Sequence, residues 1–530
     1  MRTLNAFDLL AKSSPASVST QGRSTDAEQR LKDYLYVQEG VHEALVAAME
    51  RRASVPRSVV FLCGTSGDGK SELLRRIRSR FEGQYRFHVD ATHSFRPDGT
   101  ALDTLEDLFD DADARPLVVG INLGMLANFA NHDPSRHHEL KTEITRFFDD
   151  HLSTERGQAR FVNFNDFPKF SATSTGSVQS LFLDELIRKI TACDSANPVF
   201  ESLTADRNQL TRRWKNYRLL GMPEFRKQLI NTFALCQLRD GVFLPTRTIL
   251  DAIHSLVSGP LYIFDQLFCS RGTELFRACD ALDPAELRGK ETDTFLLCPL
   301  TPEAIEFRAE VERRAEVPLD DVSPHGLLRL FYMLQSDKPV GNDYHRRFRD
   351  DFGVEALSHY MATWAAHRNH NRDAIRAFCD RTLRPALLAY ANRSHPRVGS
   401  GRLYLGRRGP LHLSAPVHLR VPLGEAATTN TSAGIDHFIA SVKPTLNGNP
   451  IKVRISYRFY DLLTRVRAGY RPHPHDKSTV MPLDTLVETV LKEVASGNEL
   501  ILTADGDSSC RSQSYRLRQE GVDIEVEGLE

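Results

Sequence analysis

The chain has 530 residues, of which 41% are hydrophobic and 26% charged, and its net charge is −1. That length predicts roughly two to four domains, and that balance belongs to an ordinary globular protein, which excludes fibrous and disordered classes. Its eight cysteines show no paired C-x-x-C spacing, excluding a zinc knuckle or disulfide framework, and the absence of a signal-peptide core or long apolar run predicts a cytoplasmic protein without a membrane partner.

In chain order, residues 1–55 read as an N-terminal helical segment. A Ser/Thr/Gln-rich linker, Ser13 to Thr25, precedes helical stretches at Asp26–Tyr36 and Val41–Arg52. Between 56 and 175 strands and helices alternate as in a parallel sheet with flanking helices. The strands are a short buried run from Val59, then Tyr85–Asp90, Leu117–Asn122 and Arg160–Asn165; the helices are 70–81, Ala101–Asp111 and His138–Leu152. Residues 176–392 are almost wholly helical, with apolar residues at three- and four-residue steps in Val178–Ala192, Glu224–Leu238, Arg247–Leu256, Pro302–Glu316 and Leu327–Leu334. Residues 393–530 form a strand-rich C-terminal domain. Its expected strands are Leu403–Leu405, His418–Val421, Ile451–Phe459 and Glu499–Thr503, followed by a hairpin, Ser514–Arg518 turning at Gly521 into Asp523–Glu527.

The first strand runs into Gly64-Thr65-Ser66-Gly67-Asp68-Gly69-Lys70-Ser71, which fits G-x-x-x-x-G-K-[ST], a phosphate-binding loop between strand and helix. Gly64, Gly67 and Gly69 are expected at positive φ, where a side chain would be strained. The loop amides and the helix N-terminus favour phosphate oxygens; Lys70 would reach the β- and γ-phosphates and Ser71 would take one Mg²⁺ position. The expected nucleotide contacts are therefore Gly64, Thr65, Ser66, Gly67, Asp68, Gly69, Lys70, Ser71 and Glu72, for ATP with Mg²⁺. The expected fold is an α/β P-loop NTPase core with a helical lid and middle domain. A Rossmann fingerprint is absent.

Hydrolysis also needs a carboxylate for the metal and a group that orients water or senses the γ-phosphate, at strand ends beside the loop. Asp90 and Asp166 compete for the carboxylate, Asp90 being the metal-side choice with Ser71; the alternative for either is a helix cap or turn. Asn122 stands where a carboxylate is usual and could sense the γ-phosphate, or simply cap the next helix. Pro245-Thr246-Arg247 opens a helix with Thr246 as its expected cap, and Arg247 is the expected sensor arginine, the alternative being a solvated helix charge. Arg212-Arg213 is the candidate finger between subunits of a homo-oligomer. Tyr262-Ile263-Phe264-Asp265 mimics an acidic strand end but sits among helices and reads as core.

The charge is unevenly spread. Between Asp380 and Glu425 there is no acidic residue, whereas Arg381, Arg384, Arg393, Arg397, Arg402, Arg407, Arg408 and Arg420 fall there. Along Ile451–Phe459 apolar residues alternate with Lys452, Arg454 and Arg458, giving one basic face. Double-stranded DNA is the expected partner of Arg402, Arg407, Arg408, Lys452, Arg454 and Arg458; pairing with acidic neighbours or a partner subunit is the alternative.

Several blocks resemble the DptF (DndF) family, ATPase-like components of bacterial DNA phosphorothioation-dependent restriction systems. They are Met1-Arg2-Thr3-Leu4, Asp33-Tyr34-Leu35-Tyr36, Phe61 to Glu72, His88-Val89-Asp90-Ala91-Thr92-His93-Ser94-Phe95, Val118 to Leu126 and Phe167-Pro168-Lys169-Phe170. The loop is generic; Asp-Ala-Thr-His-Ser and Gly-Ile-Asn-x-Gly-Met are the specific part. The resemblance implies antiviral defence: a subunit that works with companion proteins, DptG and DptH, against DNA lacking backbone sulfur. A nucleotide-gated scaffold with little or no hydrolysis is the alternative reading, favoured by the missing Asp-Glu pair.

Overall fold

The structure, a computed structural model, describes residues 6–11, 26–91, 99–133, 135–150, 157–269, 272–335, 340–395, 398, 401–417, 419, 434–444, 450–472, 477–495, 499–504, 514–520 and 523–529. The Ser13–Thr25 linker, Met1 to Leu4, Thr92 to Phe95, Arg397, Arg420, Gly521 and most of the strand expected at His418–Val421 lie outside them. The chain divides into two compact units, Met1–Phe170 with Gln179–Phe352, and Ser171–Val178 with Gly353–Glu530. The helical stretch 176–392 is thus shared between both units.

In the first unit four strands form a parallel sheet: β1 (Val59–Gly64), β2 (Arg86–His88), β3 (Leu117–Asn122) and β4 (Ala159–Asn163), in the order β2-β3-β1-β4. All six residues of β1 are buried, as a central parallel strand requires. The first helices are α1 (Asp26–Leu35), α2 (Gly40–Arg52) and α3 (Lys70–Arg78), and Val60 and Leu62 face a cluster filled by Leu45 and Met49 of α2 and Leu74 and Ile77 of α3. Val59, Phe61 and Cys63 face the opposite cluster, with Leu105, Leu126, Phe129 and Ile144 from α4 (Ala101–Asp110), α5 (Leu123–Asn131) and α6 (His138–Asp150). Burying each such Val, Leu or Phe contributes about 1.5–3 kcal/mol, so both sheet faces hold β1 in place.

Two strand ends differ from expectation. β2 stops at His88, leaving Asp90 beyond it, and β4 stops at Asn163, followed by a 3-10 turn, Phe164–Asp166. The turn follows because Asn163 Oδ1 accepts the Asn165 N–H at 3.1 Å.

Several helices of this unit begin at side-chain caps. Ser180 receives Leu183 N–H, so the helix expected from Val178 starts at Leu181; Thr301 and Ser323 cap Pro302–Ala315 and Pro324–Met333, each with proline at its start. Asp265 sits on the helix Ile263–Cys269 and pairs with Arg329 at 2.8 Å, beside an Asp283–Arg329 pair at 2.7 Å. Tyr262, Ile263 and Phe264 ahead of it are core, as read, while Asp265 itself is half-buried.

The second unit is strand-rich with helices. After the ribbon β5 (Ser171–Ala172) and β6 (Val178–Gln179) come β7 (Arg402–Arg408), β8 (Leu411–Pro416), β9 (His437–Val442), β10 (Ile451–Ser456), β11 (Glu499–Ala504), β12 (Ser514–Glu520) and β13 (Asp523–Leu529). Five make an antiparallel sheet, β13-β12-β11-β8-β7, and β9 pairs with β10. The strand expected over Ile451–Phe459 ends at Ser456, whose Oγ caps the helix Tyr457–Arg467 by accepting Phe459 N–H at 3.3 Å. Arg458 is therefore a helix residue and not a strand neighbour of Lys452 and Arg454. Among the described residues no helix is long and apolar enough to cross a membrane.

Gly120 in β3 is a packing requirement: a Cβ there would lie 2.6 Å from the Val89 carbonyl oxygen and 2.9 Å from Leu74. Gly120→Ala should destabilise the protein by about 1–3 kcal/mol. Urea unfolding measures this, and an unchanged midpoint would show that the Val89–Asp90 backbone gives way freely.

Candidate functional site

β1 delivers the chain to the glycine-rich loop at the C-terminal edge of the sheet, and α3 leaves from it. Parallel register sets Gly64 opposite Asn122, so the loop and the end of β3 meet. Gly67 (φ +88°) and Gly69 (φ +100°) take the left-handed conformation expected of them. Gly64 does not. Its lack of a side chain answers a close approach instead, since a Cβ would stand 2.9 Å from Asp68 Oδ2 and 3.1 Å from the Phe164 ring.

Lys70, the first residue of α3, turns back across the loop. Its Nζ donates to the Thr65 carbonyl at 2.6 Å and to Asn122 Oδ1 at 2.8 Å. Burial lowers the lysine pKa, while the carboxylates of Asp68 and Asp90 oppose that shift. Asn122 occupies the N-cap of α5 but makes no side-chain cap bond there; its oxygen is spent on Lys70. Asp68 is 8% exposed and folds inward, where its Oδ2 accepts the Thr65 N–H at 2.6 Å and the Thr65 hydroxyl at 2.8 Å. It braces the loop. Glu72, on the first turn of α3, pairs with Arg75 and Arg76, each at 2.7 Å.

The helix Thr246–Ser258 begins against the tip of this loop. Arg247 N–H donates to the Gly67 carbonyl at 3.2 Å and the Thr246 hydroxyl to the Asp68 carbonyl at 3.4 Å. Thr246 is thus not the cap expected of it; Pro245 holds that position. The Arg247 guanidinium donates to the Ala11 carbonyl at 3.0 Å and lies 3.5 Å from Asp251. Arg212 sits over the Tyr262 ring at 3.4 Å and Arg213 pairs with Asp8 at 2.6 Å, so both candidate finger residues contact their own subunit.

A cavity of about 620 Å³ opens beside the loop. Ser66 to Glu72, Asp90, Asn122 and Arg247 line its polar end. Asp166 is exposed on the turn after β4 and is not among the lining residues. Leu9, Leu10, Leu31, Leu35, Phe182 and Leu186 add an apolar wall, with Glu28, Lys32 and Glu39 also lining the cavity. From sequence these residues read only as members of helical stretches or, for Leu35, of the block Asp33-Tyr34-Leu35-Tyr36, with no ligand role. That wall is pinned by reciprocal bonds, Lys189 Nζ to the Tyr34 and Tyr36 carbonyls at 3.0 and 2.6 Å and Tyr34 hydroxyl to the Lys189 carbonyl at 3.0 Å.

Chemically, the polar end suits an anion. The first-turn amides of α3 lack intrahelical acceptors and Gly69 supplies no capping side chain, so these donors, the helix dipole and Lys70 converge there. Among the described residues no trio of His, Cys, Asp or Glu could hold a metal by itself. Magnesium bound with a nucleotide needs few protein donors, and Ser71 and Asp90, the two expected, both line the cavity.

The basic residues of the second unit are distributed. Arg402, Arg407 and Arg408 lie on β7, Lys452 and Arg454 on β10, and Arg458 on the helix after it; all but Arg402 are exposed.

Asn122→Leu should strand the Lys70 ammonium and cost about 1–3 kcal/mol in denaturant unfolding, whereas Lys70→Met, which removes a desolvated charge, should leave the ligand-free protein at least as stable as the parent. Equal losses in both variants would contradict the pairing. Comparison of the chain with protein-family models, with curated proteins and with solved structures finds no match.

Proposed function

We propose that the chain is a cytoplasmic P-loop NTPase subunit that binds ATP with Mg²⁺ and contacts double-stranded DNA within a restriction complex of the phosphorothioation-dependent kind. The observation that carries the nucleotide half is Lys70. A partly buried ammonium is held by one amide oxygen and one carbonyl, at the polar end of a cavity whose volume falls within the usual range for small ligands. Phosphates would replace those two weak acceptors with charged ones, and charge-assisted bonds are about twice as strong as neutral ones. The apolar wall of Leu31, Leu35 and Phe182 would take the base. Asp90 is the carboxylate better placed for the metal shell, because it lines the cavity and Asp166 does not.

DNA contact rests on the exposed Arg407, Arg408, Lys452, Arg454 and Arg458, and the place beside DptG and DptH rests on the resemblance of the sequence blocks. A second reading, a nucleotide-gated scaffold, is favoured by one contact. The group next to Lys70 is the amide of Asn122, which cannot accept a proton or carry charge toward a metal. The ties from Thr246 and Arg247 to the loop would pass the bound state into the helical part in either case.

Lys70→Ala should weaken ATP binding by about 2–3 kcal/mol, roughly 30- to 150-fold, in isothermal titration, with the fold retained. Phosphate release stimulated by DNA supports the ATPase reading; tight binding without release supports the scaffold. Replacing Arg407 and Arg408 with Ala should weaken DNA binding and reduce its log–log salt slope by about 2. Gel shifts indifferent to that change would assign these arginines to a protein partner or to solvent.

A further inference from the structure

A cavity of about 1040 Å³ in the second unit carries six arginines on its wall, Arg384, Arg393, Arg402, Arg471, Arg516 and Arg518, against a single carboxylate, Glu499. The chain folds to bring them together: Glu499 pairs with Arg518 and Ile501 with Arg516 across β11 and β12, Arg402 opens β7, and Arg471 follows the helix Tyr457–Arg467. Asn392 fixes one side, donating to the Arg402 carbonyl at 2.8 Å and accepting Tyr404 N–H at 3.0 Å.

Three of the six are compensated within the unit. Arg516 meets Glu499 at 2.8 Å, Arg384 meets Asp380 at 3.5 Å, and Arg393 lies 4.1 Å over the Tyr390 ring. Among the described residues Arg402, Arg471 and Arg518 have no ion-pair partner. Guanidiniums gathered around one cavity repel each other, so the arrangement asks for an anion. One face of each nearby tyrosine is taken by an arginine, Tyr390 by Arg393 and Tyr470 by Arg465 at 4.0 Å, and guanidinium forks match the paired oxygens of phosphates.

We infer that this cavity is a binding site for a ligand carrying several linked phosphates, read through its phosphate oxygens by Arg402, Arg471 and Arg518. It deepens the DNA-contact half of the function proposed above and is independent of the loop at Lys70. The phosphates could belong to a nucleic-acid backbone or to a free oligophosphate; bidentate arginine recognition serves both.

The test uses the full chain carrying Lys70→Ala, so that the loop does not compete. Inorganic tripolyphosphate and a 5′-phosphorylated twelve-base-pair duplex (about one helical turn) are titrated without Mg²⁺. Saturable binding should weaken by at least about tenfold in Arg471→Ala and Arg518→Ala and be partly restored by Lys at either position. Both residues are exposed, and matching thermal unfolding checks the fold. Tighter, salt-sensitive binding of the duplex assigns the site to nucleic acid; tighter binding of tripolyphosphate assigns it to a free oligophosphate. Failure of both probes to saturate, or indifference to both variants, would overturn the inference. Loss of duplex gel shifts on replacing Arg407 and Arg408, with tripolyphosphate binding intact, would separate the strand contacts from this cavity.

Discussion

A lysine ammonium held between an amide oxygen and a peptide carbonyl is the constraint on which the first unit turns. Lys70 could reach neither Thr65 nor Asn122 unless β1 ended beside β3 in parallel register and the chain reversed over two glycines at positive φ. The sheet supplies the register because both its faces are packed. The loop supplies the reversal because Asp68 braces it from within, at the site of the Thr65 amide and hydroxyl. The cost is a desolvated cation whose acceptors are both neutral, and such groups concentrate at functional sites.

Around that contact the first unit assembles a cavity from pieces far apart in the chain. Residues 6–11 are anchored through Phe7, fully buried, and through the Asp8–Arg213 pair, while α1 is locked to the helix Leu181–Thr191 by the Lys189–Tyr34 exchange. The helix Thr246–Ser258 touches the loop through the Arg247 amide at the Gly67 carbonyl and the Thr246 hydroxyl at the Asp68 carbonyl, so a shift of the loop must move or break both bonds. The loop and the start of this helix are thus mechanically tied by two parallel hydrogen bonds.

The β–α alternation was legible because fully buried strands print as unbroken apolar runs, and Val59 to Cys63 and Leu117 to Ile121 are such runs. The loop was legible for the same local reason: glycine at Gly67 and Gly69 marks left-handed backbone. Gly64 resisted that logic, since its neighbours are Asp68 and Phe164, the latter a hundred residues away. Ile451 to Phe459 misled because its alternation of apolar and basic residues matches a strand up to Ser456, whose role as a helix cap shows only in the bond to Phe459. The basic stretch that holds Arg384, Arg393 and Arg402 was legible behind the net charge of −1, but its closure with Arg516 and Arg518 was not, because the β11–β12 pairing brings those members in; the apolar wall depends on long-range packing in the same way.

The central claim is that the amides of a short glycine-rich loop enclose a triphosphate. Hydrogen–deuterium exchange of the parent protein with and without Mg–ATP tests it most directly. Amides from Thr65 to Leu73 should become strongly protected, together with the start of the helix at Thr246 and the Leu31–Leu35 wall. Unchanged exchange across the loop at saturating ATP and GTP, with DNA and companion proteins present, would contradict the account.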